Sequence, residues 1–286
     1  METTKIGWIG IGLMGNPMSQ RLILADYPLS VYNRSKEKFK DYSESAKICE
    51  TPQAVMEASD IIFMMVTNDK AVREIFFESN GLLNFSAQSK LIINMSTISP
   101  ALSIELSGLC KTAGHSYLDA PVSGSVKQAE TGELVIMVGG AEADYNHAVP
   151  LFNILGKKSI LIGDNGKGNV AKLAINGLLG IFAQGLAEAL LLAEKNGVSP
   201  KIVAELINEG TLGNAFSKLK GEKIVEGNYS PAFSLNNICK DLGLASAIGF
   251  NMPMGSAALK TFENASEQLG DDDLIAVFKF LENEKS

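Results

Sequence analysis

The residues best suited to chemistry in this chain are a lysine and an asparagine four positions apart. Lys172 and Asn176 stand in Gly168-Asn169-Val170-Ala171-Lys172-Leu173-Ala174-Ile175-Asn176, at the start of an apolar stretch that runs to about Asn196. Helical spacing sets both on one face. A lysine in an apolar helix interior is unusual. Its ammonium can hand a proton to an oxygen that becomes an alkoxide, and take it back in the reverse direction. The competing reading is a lysine that snorkels to the surface. Gly177, Gly180 and Gly185 follow on the same helix, which reads as built for close approach rather than for helix propensity. Neither His115 nor His147 stands in a pattern that rivals the lysine.

A second constellation is Asp119-Ala120-Pro121-Val122-Ser123-Gly124-Ser125, after an apparent strand. The Ser123 hydroxyl with the amides of Gly124 and Ser125 makes a compact set of donors suited to a carboxylate. A plain strand-to-helix turn with a serine cap fits the same residues.

The third is Gly10-Ile11-Gly12-Leu13-Met14-Gly15, directly after the apolar run Ile6–Ile9 and before a helical pattern from about Asn16. GxGxxG alone is a weak signal, but between a strand and a helix it marks a Rossmann-type dinucleotide site. Gly10 permits the tight turn, Gly12 lets backbone approach a pyrophosphate, and Gly15 allows helix and strand to pack closely. The helix N-terminus then faces the phosphates with its unpaired amides. The next strand runs into Val31-Tyr32-Asn33-Arg34-Ser35. NAD-selective sites place a carboxylate there for the ribose hydroxyls. Arg34 can instead meet a 2′-phosphate with a forked pair of donors, and Asn33 and Ser35 can add hydrogen bonds, which points to NADPH. The other reading leaves Arg34 on a solvated loop.

These groups need a frame, and the first half of the chain supplies one. Short β-rich runs at Ile6–Ile9, Leu29–Tyr32, Ile61–Val66, Leu91–Met95, Tyr117–Leu118, Leu134–Val138 and Ile160–Ile162 alternate with helical patterns. Several are apolar throughout, as parallel strands covered on both faces are. Thr51-Pro52 and Ser99-Pro100 each pair a cap residue with a proline in the first helical position. Past about Gly163 the pattern is helical, with one helix from Gly168 to about Asn196 and another opening at Ser199-Pro200. The turn-rich Gly163–Gly168 segment marks the boundary. The expected fold is therefore α/β: a doubly wound parallel sheet over residues 1–164, then an all-helical domain over residues 165–286.

Composition narrows the partners. The chain of 286 residues carries 25 Lys and Arg against 32 Asp and Glu, a formal charge of −7, which argues against nucleic acid. Cys49, Cys110 and Cys239 are too scattered for a metal site or a disulfide framework and fit a reducing compartment. The N-terminus runs straight into a strand with no signal-like segment. The apolar stretch Val170–Ala193 carries Lys172, Asn176, Gln184 and Glu188, four residues costly in lipid, so it reads as a buried helix and not a membrane span. A cytoplasmic location follows as the expectation.

Four blocks, Gly10–Met18, Asp119–Ser125, Gly166–Asn176 and Lys240-Asp241-Leu242, carry a resemblance to the β-hydroxyacid dehydrogenases that extends over essentially the whole chain. Within that family the chain most resembles the NADPH-dependent glyoxylate and succinic semialdehyde reductases. The resemblance implies that Lys172 is the acid/base, that Asn176 orients the substrate, and that Ser123 and Gly124 grip its carboxylate. It implies that Thr97 contacts cofactor and substrate near the nicotinamide, and that Met65 and Val66 line the nucleotide site. Lys240 would reach cofactor or substrate from the helical domain, and Phe233 would pack over the nicotinamide region. It also implies a homodimer or homotetramer. Imine reductases share the fold but lack a lysine at the position of Lys172, and 6-phosphogluconate dehydrogenases are much longer. Ser125 stands where hydroxyisobutyrate dehydrogenases usually have glycine, which favours the semialdehyde and glyoxylate branch. 3-Hydroxyisobutyrate or tartronate semialdehyde chemistry is the runner-up, and a nucleotide-binding scaffold or redox sensor is the reading outside enzymes.

Overall fold

Apolar runs of four residues alternate their side chains between two faces, and in this chain each face acquires its own core. The computed structural model describes residues 4–42, 44–84 and 88–283. Its strands are β1 (Ile6–Ile9), β2 (Leu29–Tyr32), β3 (Lys47–Ile48), β4 (Ile61–Met64), β5 (Leu91–Asn94), β6 (Ser116–Asp119), β7 (Val122–Ser123), β8 (Leu134–Gly139) and β9 (Gly156–Gly163). Helices α1 (Gly15–Leu24), α2 (Pro52–Ala58), α3 (Asp69–Phe77), α4 (Pro100–Thr112), α5 (Val126–Thr131) and α6 (Glu142–Leu155) connect them. Ile6 and Trp8, Ile61 and Phe63, and Leu91 and Ile93 point into one core, closed by Met18 and Leu22 of α1 and Phe152 of α6. Ile9, Ile62, Met64 and Ile92 point into the other, closed by Val55 of α2, Phe76 of α3 and Leu106 of α4. Burying each such side chain stabilises the unit by about 1.5–3 kcal/mol.

The strand order is β3-β2-β1-β4-β5-β6-β8-β7, with β9 paired to β8. From β3 to β6 every pairing is parallel, the order of a dinucleotide-binding sheet. Beyond that point the sheet is mixed: β8 runs antiparallel to both β6 and β7 and parallel to β9. β3 and β7 are two residues long and carry no readable periodicity. The caps behave as their chemistry dictates: Thr51 Oγ1 accepts from the Ala54 amide at 3.1 Å, and Ser99 Oγ from the Leu102 amide at 3.3 Å.

The remaining helices are α7 (Lys167–Lys195), α8 (Pro200–Glu209), α9 (Ala215–Glu226), α10 (Leu235–Ala247), α11 (Pro253–Leu269) and α12 (Val277–Asn283). By length and composition α7 is long and apolar enough to cross a membrane. Its Ala183, Leu186, Ala187, Leu190 and Leu191 are instead core residues, packed in one cluster with Leu235, Ile238, Leu242 and Phe262. Of Gly177, Gly180 and Gly185, close approach holds for the first two. A Cβ at Gly177 would meet the Phe250 ring at 2.8 Å and one at Gly180 would meet Leu242 at 3.1 Å, whereas Gly185 faces open space.

Packing divides the chain into two units, Met1–Lys172 and Leu173–Ser286. The division falls eight residues beyond the 164/165 boundary expected from turn residues, because the first turn of α7 is tied into the sheet unit. Asp119 Oδ1 accepts from the Gly166 amide at 2.7 Å, and Oδ2 from the Asn169 amide at 2.9 Å.

Candidate active site

The ends of the parallel strands line up. Ile9 pairs with Tyr32 and Met64, Met64 with Asn94, and Asn94 with Asp119. The residues that follow, Gly10, Asn33, Met65, Met95 and Ala120, therefore open a row of loops along one carboxyl edge of the sheet, where α/β sheets bind ligands. The glycine loop, Asn33-Arg34-Ser35, Met65-Val66, Thr97 and the Ser123 turn all belong to this row.

Backbone geometry explains the first glycines. Gly10 adopts φ +98°, and a Cβ there would come within 2.2 Å of the Met65 carbonyl oxygen. A Cβ at Gly15 would come within 2.0 Å of the Gly10 oxygen. Trp8 Nε1 donates to that same oxygen at 3.0 Å and fixes the loop from inside the core. Gly12 faces open space, as a residue reserved for a ligand's approach does. No side chain caps α1 at Met14 and no acid stands in its first turn. Its N-terminal dipole and amides thus suit a pyrophosphate. The residues present fit a dinucleotide, with Gly10, Ile11, Gly12, Leu13, Met14 and Gly15 as its phosphate cradle.

The residues after β2 divide into two roles. Asn33 Oδ1 accepts from the Ile11 amide at 2.9 Å, and its Nδ2 donates to the Ser35 carbonyl at 2.9 Å. Asn33 thus holds the glycine loop against the second strand. Arg34 is exposed and lies 3.6 Å from Glu74 of α3.

Thr97 is half-buried in a turn held on both sides. Ser96 Oγ accepts from the Val66 amide at 2.9 Å. The Ile98 amide donates to Asn169 Oδ1 at 3.0 Å, and the Ser99 amide to Asp69 Oδ1 at 3.0 Å. Asp119 ties the same region to α7. Burial pushes its carboxyl above the usual carboxylate range, against the opposing pull of the Gly166 and Asn169 amides. Lys172 follows Asn169 by three residues and is half-buried. The two are neighbours on one face of α7.

The Ser123 turn needs one correction. Gly124 adopts φ +142°, and a Cβ there would meet Leu134 at 2.7 Å, so only glycine fits. Ser125, however, spends its amide on Gln128 Oε1 at 2.8 Å, and its hydroxyl on the same oxygen at 2.5 Å. It starts α5, and its amide is not left over for a ligand. The donor set is narrowed to the Ser123 hydroxyl and the Gly124 amide.

Residues 5–163 match the NAD binding domain of 6-phosphogluconate dehydrogenase, and residues 166–281 match the NAD-binding domain of NADP-dependent 3-hydroxyisobutyrate dehydrogenase. Glyoxylate/succinic semialdehyde reductase 1 of Arabidopsis thaliana is 33% identical over 96% of this chain and 97% of its own length. The chain belongs to the β-hydroxyacid dehydrogenase family. The 2-hydroxy-3-oxopropionate reductase of Escherichia coli (strain K12) is 35% identical over 98% of this chain and 99% of its own length. A solved structure of Psf3 in complex with NADP+ and 2-OPP, 26% identical, superposes with a TM-score of 0.89 over 96% of this chain and 99% of that one. As a β-hydroxyacid dehydrogenase the protein is an oxidoreductase that acts on CH–OH groups with a nicotinamide dinucleotide.

The dehydrogenase's second unit holds the remaining candidates. Asn176 is buried and donates through Nδ2 to Asp241 Oδ2 at 2.5 Å. Lys240 Nζ lies 2.7 Å from Asp241 Oδ1, an ion pair by distance without hydrogen-bond alignment. Phe233 packs half-buried on the helical core, and its carbonyl accepts from the Leu274 amide at 2.8 Å. Sequence reasoning missed Asp119, Asn169, Ser96 and Asp241 as holding groups. The signal available was a polar side chain at a position that burial pattern makes internal.

Proposed function

We propose that this dehydrogenase reduces a small aldehyde acid, such as glyoxylate or succinic semialdehyde, to the hydroxy acid with NADPH. The observation that supports this reading is the in-register carboxyl edge of the sheet, along which the glycine loop, Arg34 and the Thr97 turn follow successive strands, with Asp119 at the end of β6 bonded to the first turn of the Lys172 helix. The coenzyme, when bound, supplies the hydride. Lys172 gives its ammonium proton to the carbonyl oxygen as charge develops there, and in the oxidative direction the amine takes the proton back. The Ser123 hydroxyl and the Gly124 amide accept the carboxylate as an anion held by neutral donors. Thr97 lies against coenzyme and substrate, Met65 and Val66 line the nucleotide, and Arg34 reads the 2′-phosphate. Asn176, Lys240 and Phe233 take their parts from the family resemblance, as the substrate-orienting amide, a cation for cofactor or substrate, and an aromatic face.

Tartronate semialdehyde is the second reading, favoured by the likeness to the 2-hydroxy-3-oxopropionate reductase. A rate screen of glyoxylate, succinic semialdehyde, tartronate semialdehyde and methylmalonate semialdehyde with NADPH and NADH tests both. The highest kcat/KM falls on glyoxylate or succinic semialdehyde with NADPH. A clear preference for tartronate semialdehyde selects the second reading, and no turnover of any aldehyde acid overturns both.

The proposal extends to a homo-oligomer. Ile175, Leu178, Phe182, Gly185, Ala189 and Leu192 repeat at alternating steps of three and four along α7, and Ile175, Leu178 and Leu192 are exposed. A seam of period 3.5 is what a helix uses to pack against a helix of another copy.

A further inference from the structure

We infer that Asn169 is a positioning residue that locks the Thr97 turn to the first turn of α7 and so holds Thr97 and Lys172 in one fixed arrangement. This inference rests on the proposed parts of those two residues in the reduction.

Asn169 is fully buried, and the partners of its amide and its side chain lie within the sheet unit. Its amide donates to Asp119 Oδ2 at 2.9 Å, its Oδ1 accepts from the Ile98 amide at 3.0 Å, and its Nδ2 donates to Ser103 Oγ at 3.1 Å. Three elements thus converge on one residue: the end of β6 through Asp119, the β5–α4 turn through Ile98, and α4 through Ser103. The chemistry at this position demands both an acceptor and a donor, since Ile98 offers an N–H and Ser103 is an acceptor. A carboxamide supplies both without charge. A carboxylate would set a second buried acid beside Asp119, which burial already disfavours in its charged form.

The neighbouring glycines show why the contact is so tight. A Cβ at Gly168 would lie 2.5 Å from the Met137 oxygen and 2.8 Å from the Asp119 oxygen. A Cβ at Gly139 would lie 2.6 Å from Asp119 Oδ1. α7 therefore begins pressed against the sheet edge, and Asn169 is the side chain that spans to the Thr97 turn. Ser96 and Ser99 hold the flanks of that turn from β4 and α3. Asn169 holds it from the helix that carries Lys172. With the strut removed, the turn keeps its other anchors but loses its distance to the acid, and a misplacement of about 1 Å in such a site costs on the order of 100-fold in rate.

The test compares the intact chain with Asn169→Ala and Ser103→Ala. Five quantities are read: kcat and KM for the best aldehyde acid, the Kd of NADPH, amide exchange over residues 97–99, and Tm. Asn169→Ala lowers kcat by on the order of 10- to 100-fold with a smaller change in KM. It speeds exchange at 97–99 while leaving β1 and β4 protected, and the Kd of NADPH stays nearly constant. Ser103→Ala removes only the acceptor for Nδ2 and gives a smaller loss in the same direction, which carries the test if Asn169→Ala does not fold. Unchanged kcat and unchanged exchange at 97–99, with only a lowered Tm, would overturn the inference and leave Asn169 a packing residue. If the unsubstituted protein turns over no aldehyde acid, the functional reading has failed on its own. Exchange at 97–99 then decides: faster exchange in Asn169→Ala supports the locking of the turn, and unchanged exchange refutes it.

Discussion

The Arg34 guanidinium and the Glu74 carboxylate lie 3.6 Å apart at the end of the second strand, with 86% of the arginine side chain exposed. An exposed pair of this kind contributes from nothing to about 1 kcal/mol. A 2′-phosphate offers Arg34 a better partner, with more charge and a fork-matched pair of oxygens. On the proposed reading Glu74 keeps the guanidinium near the strand end and yields it to the nucleotide. Arg34→Asp weakens NADPH binding by about 2 kcal/mol, the scale of a hydrogen bond to a charged group, with little effect on NADH. Fluorescence titration of both coenzymes checks this, and an unchanged ratio of the two Kd values would assign the phosphate to other residues.

Ser123 is the candidate for the carboxylate grip that the turn leaves available, since Ser125 is consumed by Gln128. Ser123→Ala raises KM for aldehyde acids and leaves reduction of an uncharged aldehyde of similar size nearly unchanged. Steady-state kinetics on both substrate types separates the cases. Equal losses on both would mean that Ser123 touches the carbonyl or serves only the turn.

Buried charge stabilises the helical unit only while it stays paired. Lys220 Nζ lies 2.6 Å from Asp273 Oδ1, and both side chains are almost wholly buried. Asp273 also accepts from the Ala232 and Ile275 amides, so it fastens the segment before α10 to the segment after α11. Lys220→Met leaves that carboxylate without its counter-charge and costs about 3–5 kcal/mol. Urea unfolding measures it, and a loss below about 1 kcal/mol would show that the unit relaxes around the acid.

Much of the frame was legible because parallel strands and caps leave local marks. Ile6–Ile9 and Leu91–Ile93 are continuous apolar runs, and Thr51-Pro52 marks the start of a helix in two letters. The glycine loop was legible because its three glycines stand at fixed short spacing between a strand and a helix, and Gly10 and Gly15 answer local steric demands. What escaped depends on contacts between residues far apart in sequence. The β8 reversal is set by pairing, not by composition. Nothing local shows that Asn33 takes the Ile11 amide on Oδ1 and gives Nδ2 to the Ser35 carbonyl, or that Ser125 spends its amide on Gln128. Asp119 and Asn169 stand 50 residues apart, and the bond between them moved the packing boundary to Lys172.

The exposed seam of α7 predicts association. Light scattering at working concentration gives a dimer or a larger species, and Leu178→Lys with Leu192→Lys shifts it toward monomer by placing charge in an apolar interface. A monomer for the unsubstituted protein would contradict the seam's assignment.

The central claim is that Lys172 transfers the proton. Lys172→Ala lowers kcat by at least about 100-fold, the usual lower contribution of a positioned acid. The Kd of NADPH changes little, because the phosphates and the ribose are held by the glycine loop and Arg34. Lys172→Arg fails nearly as badly, since a guanidinium stays protonated and cannot act as base in the oxidative direction. The decisive measurement is the pH profile of kcat for Lys172→Ala beside that of the unsubstituted enzyme. The account predicts a collapsed rate whose pH dependence has lost the limb belonging to the lysine. Normal turnover with an unaltered profile would contradict it and make Lys240 the candidate acid.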